Sequence, residues 1–218
     1  MKVAVDIVVF TIQSGVLNVL LVKRKIPPFV GQYAIPGGFV LDDEDLNEAA
    51  LRELKEETGV DDVYLEQLYS FGDPGRDPRG RVISVSYFAL ISADRTLQPG
   101  TDASEAAWWP VGRLPSLAFD HAAIMEYALE RLRNKLEYTT VGFQLLPEKF
   151  TLTELQKVYE VILEKELDKR NFRRKMALLK ILKPLKEYQH AGRRPAQLFR
   201  FAASQFEKLK EKGILFPF

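Results

Sequence analysis

The first 140 residues are mostly short apolar runs separated by turn residues, with one amphipathic segment among them. Runs rich in β-branched residues predict strands, and Gln13-Ser14-Gly15 predicts a hairpin between the first two. Residues 46–57 carry their apolar side chains at helical spacing and predict a helix, with Gly59 as its C-cap. Pro36-Gly37-Gly38 is expected to end the third strand, and residues 73–81 to form a long exposed loop. The predicted strands are 3–11, 16–25, 33–35, 63–71, 82–91 and 107–111, and a second predicted helix is 119–136.

Beyond residue 138 the apolar spacing becomes helical. Thr151 and Glu154 form a capping-box pattern before one predicted helix, and Asp168 is a good N-cap for a second. A two-stranded ribbon is predicted at 185–188 and 197–201, followed by a helix at 204–212. Two helices, a ribbon and a terminal helix are typical of a winged helix-turn-helix. The predicted domains are therefore 1–138 and 151–218, with a linker at 139–150.

The composition narrows the possible chemistry. The chain has no cysteine and two histidines, His121 and His190, which excludes disulfides, thiol nucleophiles and zinc fingers. A bound metal is therefore expected to have oxygen ligands, which favours Mg²⁺ or Mn²⁺. The apolar run at 3–10 is too short to span a bilayer, and an acid at Asp6 interrupts any signal-peptide pattern. We therefore expect a cytoplasmic protein with no membrane partner.

Charge is distributed unevenly between the two predicted domains. The first 150 residues carry 15 basic and 22 acidic side chains, a net charge of −7, whereas the remainder carries 16 basic and 8 acidic side chains, a net charge of +8. A basic domain joined to an acidic one is a candidate for nucleic-acid binding. The alternative is a basic domain that only docks on its acidic neighbour.

The predicted helix at 46–57 carries candidate metal ligands. Glu53, Glu56 and Glu57 are spaced i, i+3, i+4 and so lie on one face, where a divalent cation would turn their repulsion into coordination. Arg52 is placed to pair with Glu44 or with Glu48, one turn earlier, and to hold this array. Gly37 and Gly38 would let the backbone approach phosphate groups closely. The alternative is a solvated, glutamate-rich helix without a ligand.

These residues resemble the Nudix box, G-x5-E-x7-R-E-U-x-E-E-x-G-U, where U is a bulky aliphatic residue. Every defined position from Gly38 to Val60 matches. The resemblance implies an α/β (α+β) Nudix fold, a mixed sheet sandwiched between helices. It also implies that Glu53, Glu56 and Glu57 bind the metal, that Glu44 and Arg52 support them, and that a linked nucleoside diphosphate is hydrolysed.

Residues 70–82 are similar to a segment of the ADP-ribose pyrophosphatases of this family. Arg76, Arg79 and Arg81 are candidates to pair with phosphates or a ribose. Phe71 is a candidate to pack on a base, or else a core aromatic. Glu105 is either a further catalytic carboxylate from outside the helix or a surface acid.

The second predicted helix of the basic domain has a charged face opposite its apolar stripe. Its candidate DNA contacts are a major-groove set on the helix, with Asn171 for an adenine edge, and a phosphate-binding pair at the ribbon tip. These residues are Lys169, Arg170, Asn171, Arg173 and Arg174 on the helix and Arg193 and Arg194 at the tip. The alternative is a solvated basic face.

Three segments, at 150–156, 167–175 and 193–201, resemble the C-terminal winged helix of the NrtR family of Nudix-related transcriptional regulators. The resemblance implies a homodimer that binds a double-stranded DNA operator, senses ADP-ribose or a related metabolite, and controls genes of NAD metabolism or sugar use. Many members of that family have a degraded box, whereas this chain has an intact one, which favours hydrolysis.

The resulting hypothesis is a regulator that senses ADP-ribose and hydrolyses it to AMP and ribose 5-phosphate. One alternative is a plain ADP-ribose pyrophosphatase with a C-terminal dimerisation domain. A second is a non-catalytic sensor, of ADP-ribose, of a sugar phosphate or of phosphoribosyl pyrophosphate. A third is an RNA-processing Nudix enzyme, which a winged helix in place of an RNA-binding module disfavours.

Overall fold

The computed structural model of the chain describes residues 1–60, 63–93, 106–190 and 195–206. Contacts between Cα atoms divide it into two compact units. Among the described residues, the first unit comprises 1–60, 63–91 and 106–131, and the second comprises 92–93, 132–190 and 195–206. Among the described helices, none is both long enough and apolar enough to cross a membrane.

A seven-stranded mixed sheet forms the centre of the first unit. The strands are β1 (Lys2–Gln13), β2 (Val16–Lys23), β3 (Tyr33–Ala34), β4 (Gly37–Phe39), β5 (Tyr64–Phe71), β6 (Val82–Leu90) and β7 (Ala106–Pro110). The main path of the sheet runs β3-β2-β1-β6-β5, with β4 paired to β1 and β7 paired to β2. β1 pairs in parallel with β6, with Val5 opposite Val85, and antiparallel with β2 and β4.

Helices α1 (Leu46–Thr58) and α2 (His121–Leu136) cover opposite faces of this sheet. Side chains alternate between the two faces of a strand. On β1, Val5, Ile7 and Val9 share a core with Ala49, Ala50 and Leu54 of α1. On the other face of β1, Asp6 lies against the start of α2. The predicted sandwich of a mixed sheet between helices is therefore confirmed.

The structure corrects three local predictions in this unit. Gly37 and Gly38 do not break the sheet but begin β4, because the backbone there pairs with β1. α2 begins at His121 and not at Phe119, since Phe119 has a left-handed φ of 54°. The loop at 73–81 is not wholly exposed, because the charged side chain of Arg76 is paired in the interior. The predicted C-cap, Gly59, is confirmed, with φ of 71°.

The second unit has the elements of a winged helix. Its helices are α3 (Leu152–Leu163) and α4 (Lys169–Leu179), and its strands are β8 (Phe150–Thr151), β9 (Leu182–Gln189) and β10 (Ala196–Phe201), in the order β8-β10-β9. Both predicted helix starts are confirmed: Thr151 and Glu154 form a capping box, and Asp168 accepts a hydrogen bond from the Asn171 backbone N–H. The buried side chains of the two helices are Leu155, Val158, Tyr159, Ile162, Phe172, Met176 and Leu179.

The segment predicted as a linker is built into this unit. A 3₁₀ helix spans Val141–Leu145, and Phe143 within it stacks on Phe201 of β10 with ring centroids 4.6 Å apart. The ribbon is longer than predicted because Pro184 lies within β9, on an outer strand of the small sheet, where a missing N–H is tolerated. Residues 203–206 are helical, and the remainder of the predicted last helix lies outside the described residues.

Candidate active site and nucleic-acid interface

The start and face of α1 set the positions of its glutamates. Asp45 caps the helix, accepting from the backbone N–H groups of Asn47 and Glu48, while the Glu48 carboxylate accepts from the Asp45 N–H. Glu48 is therefore used in the capping box and does not pair with Arg52. The apolar face of α1 packs on the sheet, and this fixes the rotation of the helix. Glu53 is thereby directed toward β4.

The guanidinium of Arg52 is surrounded by oxygen acceptors. Its Nη2 lies 2.6 Å from Glu44 Oε1, and its Nη1 lies 2.8 Å from Glu53 Oε1 and 3.2 Å from Glu56 Oε2. It also donates to the Phe39 carbonyl at 3.2 Å. The hydrogen bond from Arg52, followed by one from the Leu41 N–H, lowers the pKa of Glu44 to about 2. Glu44 is thus a fixed anion that holds Arg52 beside Glu53 and Glu56.

Two adjacent glycines bring β4 against the glutamates of α1. A Cβ on Gly38 would lie 2.1 Å from Glu53 Oε1, and a Cβ on Gly37 would lie 2.2 Å from the Val5 carbonyl oxygen. The Gly37 N–H donates to Glu57 Oε2 at 2.9 Å. The β1 backbone therefore requires glycine at position 37, whereas a side chain at position 38 would displace the Glu53 carboxylate.

The carboxyl groups of Glu53 and Glu57 are largely removed from water. Burial raises the pKa of Glu57 to about 8, against the effect of the Gly37 hydrogen bond, and Glu53 and Asp6 raise it further. Burial also raises the pKa of Glu53. A cation would favour the charged form of both groups.

The donor set suits a divalent cation in its chemistry. Carboxylate oxygens are the ligands that Mg²⁺ and Mn²⁺ prefer, and two of them meet at the β4 glycines. As they stand, no three acidic or histidine side chains within the described ranges are already arranged around one point. Glu53 and Glu56 each accept a hydrogen bond from Arg52 through one carboxylate oxygen, and the other oxygen of each group is not bonded to Arg52.

A pocket of about 540 Å³ opens beside these residues. It is lined by backbone of β4, by Glu57, by basic side chains and by the ring of Phe119. Its polar and charged lining residues are Asp6, Lys23, Arg24, Lys25, Glu57, Arg76, Asp77, Arg79 and His121. Its size suits a ligand of nucleotide dimensions.

A buried charge network forms one wall of this pocket. Arg76 donates to both carboxylate oxygens of Asp120, at 2.9 and 2.6 Å, and to Asp6 at 3.2 Å. Asp6 also accepts from the Ser84 hydroxyl, and its Oδ1 lies 3.5 Å from His121 Nε2. The sequence did not identify three of these residues as part of a site, namely Asp6, Asp120 and His121. The one available signal was an acid inside the apolar run of β1.

The other candidate ligand-binding residues are placed differently from one another. Arg79 lines the pocket, and Arg76 lines it with its side chain bonded to two acids. Phe71 lies outside the pocket lining, in edge contact with Tyr69 and Tyr127. Arg81 is also outside it, with Nη1 donating to the Gly72 carbonyl at 2.5 Å. Glu105 lies outside the described residues.

The candidate DNA-binding residues of α4 share one exposed face. Phe172, Met176 and Leu179 are buried on the opposite face, which fixes the rotation of the helix. Arg174 donates to the Asn171 side-chain oxygen at 2.9 Å. The exposed residues are Lys169, Arg170, Asn171, Arg173 and Arg174, whereas Arg193 and Arg194 lie outside the described residues.

Comparison with known proteins connects both units to one family. Residues 1–132 match the model of the NUDIX domain, and residues 142–201 match the NrtR DNA-binding winged helix domain. An ADPR responsive transcriptional repressor of Acinetobacter baylyi is 41% identical over 207 residues, which are 93% of this chain and 83% of that protein. The chain belongs to the NrtR family.

Solved structures of this family extend the likeness to the fold. NrtR of Shewanella oneidensis, crystallised with a 27mer DNA, is 38% identical with a TM-score of 0.84, covering 94% of this chain and 95% of that one. The NUDIX domain of the same NrtR, crystallised with ADP ribose, is 40% identical with a TM-score of 0.56, covering 61% of this chain and 88% of that one. An ADP-ribose pyrophosphatase of Methanocaldococcus jannaschii is 46% identical over 109 residues, which are 50% of this chain and 64% of that enzyme.

Proposed function

We propose that the chain is a DNA-binding transcriptional regulator whose first unit binds ADP-ribose and whose second unit binds double-stranded DNA. The observation that carries this proposal is the likeness along almost the whole chain to a relative crystallised with DNA, whose NUDIX domain was also crystallised with ADP ribose. The exposed basic face of α4 and the pocket beside Glu57 supply the corresponding surfaces.

DNA binding is assigned to α4 on physical grounds. A helix docked through one apolar face presents the other to the major groove, where arginine donates in pairs to guanine and asparagine pairs with adenine. Arg170 and Arg173 are exposed on that face, and Asp168 fixes the start of the helix. We expect the functional species to be a homodimer, since two such helices would read two half-sites of an operator.

We further propose that the first unit hydrolyses ADP-ribose to AMP and ribose 5-phosphate. Glu53, Glu56 and Glu57 would hold Mg²⁺ or Mn²⁺, which when bound supplies a Lewis acid that neutralises charge developing on the phosphoryl oxygens. Glu44 holds Arg52, and the Gly37 N–H orients the Glu57 carboxylate. The likeness to an ADP-ribose pyrophosphatase supports this second activity.

One experiment tests the regulator. The purified chain is used to select duplexes from a random pool, and its affinity for the selected duplex is measured with increasing ADP-ribose in EDTA, which prevents turnover. We expect ADP-ribose to weaken binding by about five- to 150-fold, whereas ribose 5-phosphate alone has little effect. Failure to enrich any duplex would overturn the regulator and leave a plain pyrophosphatase.

A second experiment tests the enzyme. A panel of nucleoside diphosphate derivatives, sugar phosphates and phosphoribosyl pyrophosphate is assayed with Mg²⁺ for turnover and for a shift in melting temperature. We expect ADP-ribose both to stabilise the protein and to be cleaved. Stabilisation without turnover would overturn the hydrolysis and support a non-catalytic sensor.

A further inference from the structure

Two guanidinium groups lie against one aromatic ring in the pocket of the first unit. The Cζ atoms of Arg24 and Arg79 are 4.7 and 5.4 Å from the centroid of the Phe119 ring. All three side chains line the pocket. Arg24 directly follows β2, Arg79 lies in the loop before β6, and Phe119 lies just before α2, so the Nudix box includes none of them.

Arg79 is paired with a carboxylate and lies against two rings. Its Nε lies 3.0 and 3.2 Å from the two oxygens of Asp77, and its Nη2 lies 2.7 Å from Asp77 Oδ2. The side chain of Asp77 is only 3% exposed. The guanidinium also lies 5.1 Å from the Phe39 ring of β4. Within the part of the chain that the structure describes, the Nη1 group of Arg79 has no hydrogen-bond partner.

Arg24 is held by backbone carbonyls. Its Nε donates to Pro28 at 2.8 Å, and its Nη2 donates to Ile26 at 3.3 Å. These acceptors carry no net charge, so the hydrogen bonds orient the guanidinium without neutralising it. Burial, and then the charge of Arg79, lower the pKa of Arg24, while the charges of Glu57, Asp77 and Asp6 act in the opposite direction. Two cations are thus held close together, which an anion in the pocket would stabilise.

The ring that both guanidinium groups contact sits on an unusual backbone. Phe119 has φ of 54°, in the left-handed region that bulky residues rarely adopt, and such residues concentrate at ligand sites. Its neighbours fix this conformation: the Ala118 N–H donates to the Tyr33 carbonyl, and Asp120 is bonded to Arg76. The Phe29 ring packs edge-on against Phe119 at 4.9 Å.

We propose that Arg24, Arg79 and Phe119 form a subsite that binds the phosphate groups of a nucleoside diphosphate ligand, and that Asp77 is the positioning residue that holds Arg79 there. The inference rests on the proposed function, since it requires such a ligand to occupy the pocket. A preoriented guanidinium loses less side-chain freedom on binding phosphate than a mobile one does.

The test measures ADP-ribose affinity of the full chain by calorimetry in EDTA, at several salt concentrations, together with melting temperature. Arg24→Gln and Arg79→Gln should each weaken binding at least about tenfold and reduce its salt dependence, because a charged contact to phosphate is lost. Phe119→Leu should weaken binding while keeping an apolar side chain. Arg113→Gln, which removes an exposed arginine of the same unit, is the matched control and should bind as the wild type does.

Asp77 is tested by its dependence on Arg79. Asp77→Asn should weaken binding about three- to tenfold in the wild-type background and cause no further loss in the Arg79→Gln background, which is the non-additivity expected of residues that act together. Asp77→Glu, which restores the charge, should recover part of the affinity.

The outcomes separate this inference from the proposed function. A wild-type protein that does not bind ADP-ribose overturns the proposed function and the subsite together. A wild type that binds, with Arg24→Gln and Arg79→Gln variants of unchanged affinity and salt dependence but lower melting temperature, overturns the subsite alone and makes the guanidiniums structural. Additive effects of Asp77→Asn and Arg79→Gln overturn the positioning role.

Discussion

The backbone N–H of Ile35 determines which nitrogen of His121 carries a proton. It donates to His121 Nδ1 at 3.1 Å, and an N–H can only donate, so Nδ1 is unprotonated. Burial lowers the pKa of His121, although Asp6 and Asp120 act in the opposite direction and Arg76 and Arg24 reinforce the lowering. His121 is therefore neutral in the folded chain, with its proton on Nε2 facing Asp6.

This environment makes stability depend on pH. The folded pKa is lowered, so below about 6.5 the unfolded chain takes up a proton that the folded chain refuses. The contribution of His121 to the free energy of unfolding should be constant above pH 6.5. Below that pH it should fall, by at most about 1.4 kcal/mol per pH unit. Urea unfolding of wild type and His121→Asn at pH 7.5, 6.5 and 5.5 checks this. If the free energy of unfolding changed with pH to the same extent in both proteins, the prediction would be contradicted.

One face of α1 packs on the sheet, and another carries the glutamates that are the proposed metal ligands. We expect Glu57→Gln to cut ADP-ribose hydrolysis at least about a hundredfold, because one charged ligand to the cation is lost. The amide oxygen can still accept from the Gly37 N–H, so the fold should be retained. Turnover and melting temperature are measured together, with Glu126→Gln, an exposed acid of α2, as the control. Near-wild-type turnover would refute the ligand role.

The exposed face of α4 permits a matched charge test. Arg170→Ala with Arg173→Ala should weaken operator binding at least about a hundredfold, since each arginine contact to a base is worth about 1–3 kcal/mol. ADP-ribose hydrolysis should be unchanged. Lys157→Ala with Lys165→Ala removes the same charge from exposed positions of the same unit outside α4. Fluorescence anisotropy on the selected duplex compares the two pairs, and equal losses would indicate non-specific electrostatics.

Elements specified by local signals were predictable from sequence. The capping box of Thr151 and Glu154 is four residues long, and the apolar residues of α1 recur at helical spacing within a single segment. The short strands β4 and β8 were not predictable, because two or three residues become a strand only when β1 or β10 lies beside them. Phe119 was assigned to a helix because φ cannot be inferred from an apolar pattern.

Side-chain pairs between residues far apart in the sequence limit what the sequence can predict. The Nudix box places Arg52 beside Glu44 and Glu53, all within ten residues. Arg76 and Asp6 are 70 residues apart, and no spacing rule connects them. Sequence therefore predicted the glutamates of α1 as site residues, whereas the network that joins Arg76 to Asp6 and Asp120 appeared only when the sheet was assembled.

The two proposed activities together predict a timed response. Hydrolysis would remove the ligand that weakens DNA binding, so wild-type protein given Mg²⁺ and a limited amount of ADP-ribose should release the duplex and then rebind it. Glu56→Gln should release the duplex and stay released, because the ligand persists. Anisotropy followed over time distinguishes the two, with EDTA-treated wild type as a control. Rebinding at equal rates in both proteins would contradict the timer.

The two glycines of β4 affect which substitutions such a protein can accumulate in evolution. Alanine at position 37 would collide with the backbone of β1, which cannot move without disturbing the sheet. Alanine at position 38 would collide with the end of the Glu53 side chain, which can swing aside. We expect Gly37→Ala to lower the melting temperature and Gly38→Ala to abolish turnover while the fold persists, and denaturation and hydrolysis assays on both would decide.

If the chain hydrolyses ADP-ribose as proposed, one methyl group at position 38 would then stop turnover with every acidic residue intact. A descendant could lose hydrolysis in a single step and keep an intact pocket for its effector. Inheritance of the full set of glutamates is therefore a poor guide to which descendants still consume what they sense.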